Sequence, residues 1–219
     1  MKEYYSVMLD IENRPCVVIG GGLVAERKIS SLLKSKADIT VISPEATTYI
    51  KDLAKDGKLH WLKREFQVGD LRGYFMVIIA TNDSLLNQKI HQEANLKTQL
   101  VNLVDQPEQS NFIVPASIKR GGLQIAISTS GASPGLAKKI RFELERQYGV
   151  EYEQYMDFLW QMRQWIIKNV SDEKNKRDFF QLILEPSYFV EIKAGKQDLV
   201  QLTIQELKKL IDNKDKRRD

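Results

Sequence analysis

Cysteine occurs once in this 219-residue chain, at Cys16, so no disulfide can form within it and a reducing, cytoplasmic compartment is expected. Histidine is nearly as scarce. His60 falls in a strand-like run and His91 on a helix face, and no His/Cys/Glu group has metal-ligand spacing, so no resident metal is expected. No apolar run approaches the roughly 20 residues of a membrane span. The first residues, Met1-Lys2-Glu3-Tyr4-Tyr5, lack the basic-then-apolar layout of a secretory signal, and no membrane partner is expected. Neither sign of charge dominates: 33 Lys and Arg stand against 29 Asp and Glu. The basic residues form no aromatic-interleaved face, and Lys214–Arg218 reads as a solvated tail, so nucleic acid is not an expected partner.

What the chain does have is an alternation of strand and helix signals. Cys16–Ile19, Ile39–Ile42, Leu59–Leu62, Phe75–Ala80 and Leu100–Val104 are short apolar, β-branched runs, the mark of strands covered on both faces. Between them, residues 25–36, 47–56 and 84–95 carry helical periodicity, with Ile29, Leu32 and Leu33 on one side of the first. Strand–helix alternation of this kind predicts an α/β, doubly wound, mostly parallel sheet. Past Gln106 the rhythm changes. Phe112–Val114 and Leu123–Ile127 read as strands joined through Lys119-Arg120-Gly121-Gly122, and Ser133-Pro134 opens a helix to about Tyr148. From residue 150 only helical spacing remains, with Tyr155, Trp160 and Trp165 read as core and Thr203/Glu206 as a capping box for the last helix.

Gly20-Gly21-Gly22-Leu23-Val24-Ala25 is a G-x-G-x-x-A turn between a buried strand and a helix. Gly20 permits the tight turn, Gly22 lets backbone approach a pyrophosphate, and the helix start offers unpaired N–H groups to it. The acidic partner for the adenosine ribose belongs at the end of the second strand, which here reads Ile42-Ser43-Pro44-Glu45. Glu45 either meets that ribose or merely begins the next helix; no arginine stands there for a 2′-phosphate. Ala80-Thr81-Asn82-Asp83 ends the strongest strand at the same sheet edge and flanks the expected cofactor, or simply caps the helix that follows. Asp105 ends the last parallel strand, where a carboxylate is either a general base or a turn residue.

Five segments together resemble the precorrin-2 dehydrogenase module, found alone or fused within sirohaem synthases. They are residues 18–28, Ala80-Thr81-Asn82-Asp83, Asn102-Leu103-Val104-Asp105, residues 111–116, and residues 127–134 with their Ser-Gly-Ala-Ser-Pro core. The resemblance covers residues 3 to 150 and implies three parts: a Rossmann domain over 1–113, a small α+β dimerisation region over 114–149, and a helical domain over 150–219. It implies a homodimer that oxidises precorrin-2 to sirohydrochlorin with NAD. By position it makes Leu23, Val24, Pro44 and Glu45 cofactor contacts, beside Gly20, Gly22 and Thr81, and Asp105 the catalytic aspartate. A phosphorylated serine of some fused synthases corresponds here to Thr129, which sets this chain apart from that pattern. The tetrapyrrole's many carboxylates call for cations and helix N-termini, for which Lys119, Arg120, Ser130, Ser133 and Lys138 are the candidates, with Lys139 and Arg141 beside them.

Other functions compete with this one. The chain can combine the dehydrogenase with sirohydrochlorin ferrochelatase activity, through a transient ion near Asp105. It can also be a non-catalytic NAD-sensing module, which would need neither Asp105 nor the Ser-Gly-Ala-Ser-Pro segment. A short-chain dehydrogenase is disfavoured because no tyrosine is followed four residues on by lysine.

Overall fold

The computed structural model describes residues 2–104 and 106–215. Two compact units divide the chain, Met1–Val114 and Pro115–Asp219.

The first unit alternates β1 (Pro15–Ile19), α1 (Leu23–Lys34), β2 (Asp38–Ile42), α2 (Thr48–Lys55), β3 (His60–Leu62), β4 (Met76–Ile79), α3 (Ser84–Glu93) and β5 (Leu100–Leu103). All neighbouring strands pair in parallel, in the order β3-β2-β1-β4-β5. Both faces of the sheet are covered, which is why its strands read as unbroken apolar runs. On one face Cys16, Val18, Ile39, Val41 and Ile78 meet Ala25 and Ile29 of α1 and Ile50 of α2. On the other, Val17, Ile19, Val77, Ile79 and Leu103 meet Ile90 of α3 and Leu71. Strand order reverses between β1 and β4, the switch point where open α/β sheets bind ligands.

Phe112–Val114, expected as a strand, has no regular structure. Its neighbours finish the margin of β5 with side chains instead. Asn111 Oδ1 accepts from the Val101 N–H (2.7 Å), and the Asn111 N–H donates to the Val101 carbonyl (3.1 Å). The buried Ser110 hydroxyl accepts from the Leu103 N–H (2.9 Å) and faces the Leu103 carbonyl at 3.2 Å. Phe112 itself packs beside the α1-side core, and its carbonyl accepts from Asn102 Nδ2 at 3.1 Å. Phe112 thus serves packing without pairing, while Val114 is exposed.

The second unit opens with the antiparallel hairpin β6 (Ala116–Arg120) and β7 (Leu123–Ile127). The turn between them is Gly121-Gly122 alone; Lys119 and Arg120, expected within it, end β6. There follow α4 (Pro134–Gln147), α5 (Glu151–Asn169), α6 (Glu173–Leu182), α7 (Pro186–Lys193) and α8 (Leu199–Asp215). The helices enclose Phe158, Met162 and Ile166 of α5, Phe179 of α6, Ile192 of α7 and Leu207 of α8. Tyr155 and Trp165 pack against this core, but Trp160 turns outward and is 64% exposed. The Thr203/Glu206 pattern is not a cap. Helix α8 begins a turn earlier, and the buried Thr203 hydroxyl donates to the Leu199 carbonyl at 2.8 Å. Among the described residues no helix is long and apolar enough to cross a membrane.

Candidate active site

A cleft of about 870 Å³ opens at the carboxyl ends of β1, β2 and β4. Gly20, Gly22, Leu23, Val24, Pro44, Glu45 and Thr81, the seven residues expected to meet a cofactor, all line it. Its floor is built from backbone. The Gly20 N–H donates to the Ile42 carbonyl (2.9 Å), the Ala80 N–H to the Ile19 carbonyl (2.9 Å), and the Thr47 N–H to the Gly21 carbonyl (2.9 Å). These bonds draw the three strand ends around the glycine turn.

Each glycine answers a different demand. Gly20 holds φ at +113°, and a Cβ there would fall onto the Ala80 carbonyl. Gly21, to which the sequence reading gave no role, is as constrained: a Cβ there would collide with the Glu45 carbonyl and Ala46. Gly22 is the reverse case, because a Cβ there meets nothing within 4 Å. The space beside Gly22 is open, and no side chain caps the α1 N-terminus that follows. Unpaired N–H groups facing open space at a helix start suit a pyrophosphate, so these residues fit a dinucleotide. Leu23, at the first turn of α1, is 72% exposed at the mouth.

At the β4 end, the Thr81 hydroxyl donates to Asn87 Oδ1 (2.5 Å) and accepts from the Asp83 N–H (3.2 Å). Asn87 Nδ2 returns a bond to the Thr81 carbonyl at 3.1 Å, so this hydroxyl shapes the loop as the loop lines the cleft. Asp83 caps α3 by accepting from the Leu85 and Leu86 N–H groups at 3.0 Å. Glu65, Phe66 and Lys89 also line the cleft, and local pattern did not reveal them. Glu65 and Phe66 follow β3, and what would have found them is the register that pairs Ile42 with Leu62. Asp105 lies outside the described residues, as does most of the Lys214–Arg218 stretch. A separate cavity of about 700 Å³, lined by Arg14, Tyr74, Phe75, Glu93 and Gln99, opens by the amino ends of β1, β4 and β5 and has no phosphate-binding turn.

The candidate substrate residues all belong to the second unit. Lys119 is exposed on the outer face of the hairpin, opposite Gln124, whereas Arg120 points to the packed face. Arg120 Nε donates to the Tyr148 carbonyl at 3.1 Å, tying the hairpin to the end of α4. Ser133 caps α4 by accepting from the Leu136 N–H (3.2 Å), while Ser130 adopts φ +50° in the loop before it. Lys138 is exposed with its ammonium 5.8 Å from the Phe142 ring centroid, and Arg141 is ion-paired to Glu145 at 2.7 Å.

Comparison with known proteins bears on all three regions. Residues 7–116 match a family described as putative NAD(P)-binding, residues 120–147 the sirohaem biosynthesis protein central family, and residues 152–197 the SirC C-terminal domain. The precorrin-2 dehydrogenase of Priestia megaterium is 33% identical over 198 residues, 90% of this chain and 98% of that protein. The chain belongs to the precorrin-2 dehydrogenase family. A solved structure titled SirC, precorrin-2 dehydrogenase, superposes with a TM-score of 0.80 at 30% identity, over 94% of this chain and all of that one. The siroheme synthase of Vesicomyosocius okutanii is 32% identical across 90% of this chain, which spans only 43% of that longer protein. Membership of the precorrin-2 dehydrogenase family makes the chain an oxidoreductase with a nicotinamide-nucleotide domain. The reading as a dehydrogenase and chelatase combined is not favoured over the simpler one.

Proposed function

We propose that the chain oxidises precorrin-2 to sirohydrochlorin with NAD+, a step of sirohaem biosynthesis. The observation that carries this is the end-to-end match with a stand-alone precorrin-2 dehydrogenase, with the glycine-turn cleft intact. The oxidation removes two hydrogens from the macrocycle, one as hydride and one as a proton. The dinucleotide supplies the hydride acceptor, while the protein supplies orientation and electrostatics. Backbone N–H groups of the Gly20–Val24 turn would hold the pyrophosphate, and Pro44 and Glu45 would meet the adenosine ribose. Asp105 takes the proton as general base.

Polycarboxylate substrate needs cations and helix-start N–H groups. Lys119, Arg120 and Lys138, with Ser130 and Ser133 at the head of α4, supply that chemistry. The protein works in the cytoplasm as a homodimer, with 114–149 as the dimerisation region. The outer face of the two-stranded hairpin, carrying Ser117, Lys119, Gln124 and Ala126, is bare in the single chain and is the surface it offers to a second copy.

Anaerobic incubation of the purified chain with fresh precorrin-2 and NAD+ tests the proposal, following NADH and the macrocycle spectrum together. One NADH per sirohydrochlorin is the expected result. Dinucleotide binding without macrocycle oxidation would sink the catalytic reading in favour of a sensing module.

A further inference from the structure

The two ends of β2 and β3 run side by side. Their register places Ile42 opposite Leu62, the Ser43 N–H donates to the Leu62 carbonyl at 3.3 Å, and Trp61 Nε1 donates to the Ser43 carbonyl at 3.0 Å. The end of the second strand is where a dinucleotide's adenosine ribose lies. At this end of the cleft the charged side chains are Glu45, beyond β2, and Glu65, beyond β3. Both are exposed, and among the described residues neither is ion-paired. The Ser43 hydroxyl donates to the Glu45 carbonyl at 2.6 Å, so its one proton is already engaged.

A guanidinium does stand next to this rim, and it is held out of the cleft. Arg64 forks onto Asp70, Nη1 to Oδ2 at 2.7 Å and Nη2 to Oδ1 at 2.8 Å, and Nη1 also donates to the Glu65 carbonyl at 2.9 Å. Asp70 accepts a further bond from the Gln67 N–H at 2.8 Å, and Arg64 beside it holds its carboxyl below the usual carboxylate range. A bidentate pair of this kind fixes the geometry of both partners. Lys63 lies over the Trp61 ring at 5.9 Å and does not line the cleft. Lys89, among the described residues the one cation that does, comes from α3 beyond β4, two strands from β2 in sheet order.

We infer that this rim selects the dinucleotide without a 2′-phosphate: Glu45 and Glu65 repel that phosphate while Asp70 withholds Arg64, the guanidinium able to receive it. The inference rests on the reading of the cleft as a nicotinamide-dinucleotide site and deepens it by naming what chooses between the two forms. A 2′-phosphate adds up to two negative charges. Beside one exposed carboxylate it is disfavoured by roughly 10-fold, and salt weakens the effect.

Calorimetric titration of the full chain with NAD+ and with NADP+ tests it, read as the ratio of the two dissociation constants. The parent should prefer NAD+ by about 100-fold, a preference that shrinks at about 1 M salt. Glu65→Gln should cut the ratio about 10-fold, and Asp70→Asn should also lower it by freeing Arg64. In Arg64→Ala/Asp70→Asn that second gain should vanish, with thermal melts confirming that each variant is folded. Should the Asp70 variants fail to fold, Glu65→Gln and the salt series decide alone. A parent ratio near one, or a Glu65→Gln ratio equal to the parent's, overturns the inference while leaving the dinucleotide site standing. Binding of neither nucleotide overturns the dinucleotide reading, and the selectivity falls with it.

Discussion

The two units of the chain are built on different chemistry. In the first, the cleft is made of main chain: a glycine turn, an uncapped helix start, and carbonyl-to-N–H bonds that gather three strand ends. In the second, order comes from side chains, with Phe158, Met162, Ile166 and Leu207 closing a helical core and the candidate cations standing mostly outside it. At Gly20 and Gly21 that main chain has no room for a Cβ, whereas the space beside Gly22 is left to a ligand. The helical core depends instead on the side chains that fill it, so substitutions in the two units should separate binding from stability.

The sharpest separation comes from Gly22→Asp. A side chain there occupies free space and so leaves the melting temperature near the parent's. It also puts bulk and negative charge in the pyrophosphate position, and dinucleotide affinity should fall at least ~1000-fold, about 4 kcal/mol. Retained affinity by calorimetry would break the comparison at its strongest point. Met162→Ala is the converse. Deleting a side chain with no exposed surface should cost about 3 kcal/mol of stability in denaturant titration, yet leave the dissociation constant for the nucleotide within about twofold below the transition. A large loss of affinity would show that the helical core and the cleft are not separable.

Asp105→Asn puts a side-chain function in the first unit. Turnover should drop at least ~100-fold with nucleotide affinity and fold retained, the low end for a lost general base. Unimpaired turnover would remove Asp105 from the chemistry. The smallest effect concerns Cys16, buried in β1, whose thiol is pushed up to about 11 by burial first and by the Asp38 carboxylate second. The folded state holds that proton more tightly than the unfolded chain, so its contribution to stability is complete below about pH 9 and fades as pH rises through about 11. At pH 8 the native protein should not react with a thiol reagent, and denaturant should expose one thiol per chain. Prompt labelling of the native form would show that the sheet opens at β1.

The sequence made the first unit legible because its rules are local. Strands buried on both faces announce themselves as apolar runs, and the glycine turn sits between one of them and a helix. What escaped reading lies across the sheet. Glu65 and Phe66 reach the cleft only because β3 pairs with β2 in a particular register, and nothing near them in the chain encodes that neighbour. Gly21 escaped because its constraint comes from Glu45 and Ala46, two dozen residues on. Phe112–Val114 misled because an apolar triplet looks the same whether it pairs or packs. Thr203 misled because a threonine three residues before a glutamate also occurs inside a helix, where its hydroxyl bonds the preceding turn.

The margin of β5 carries a last consequence. A strand at the end of a sheet usually offers its outward N–H and C=O groups to any passing chain. Here the outward groups of Val101 and Leu103 are already met by Ser110, Asn111 and the Gln106 N–H. Among the described residues those two rungs are taken, so a second copy that continued the sheet past β5 would first have to displace Ser110 and Asn111. Self-association through another surface leaves these bonds in place.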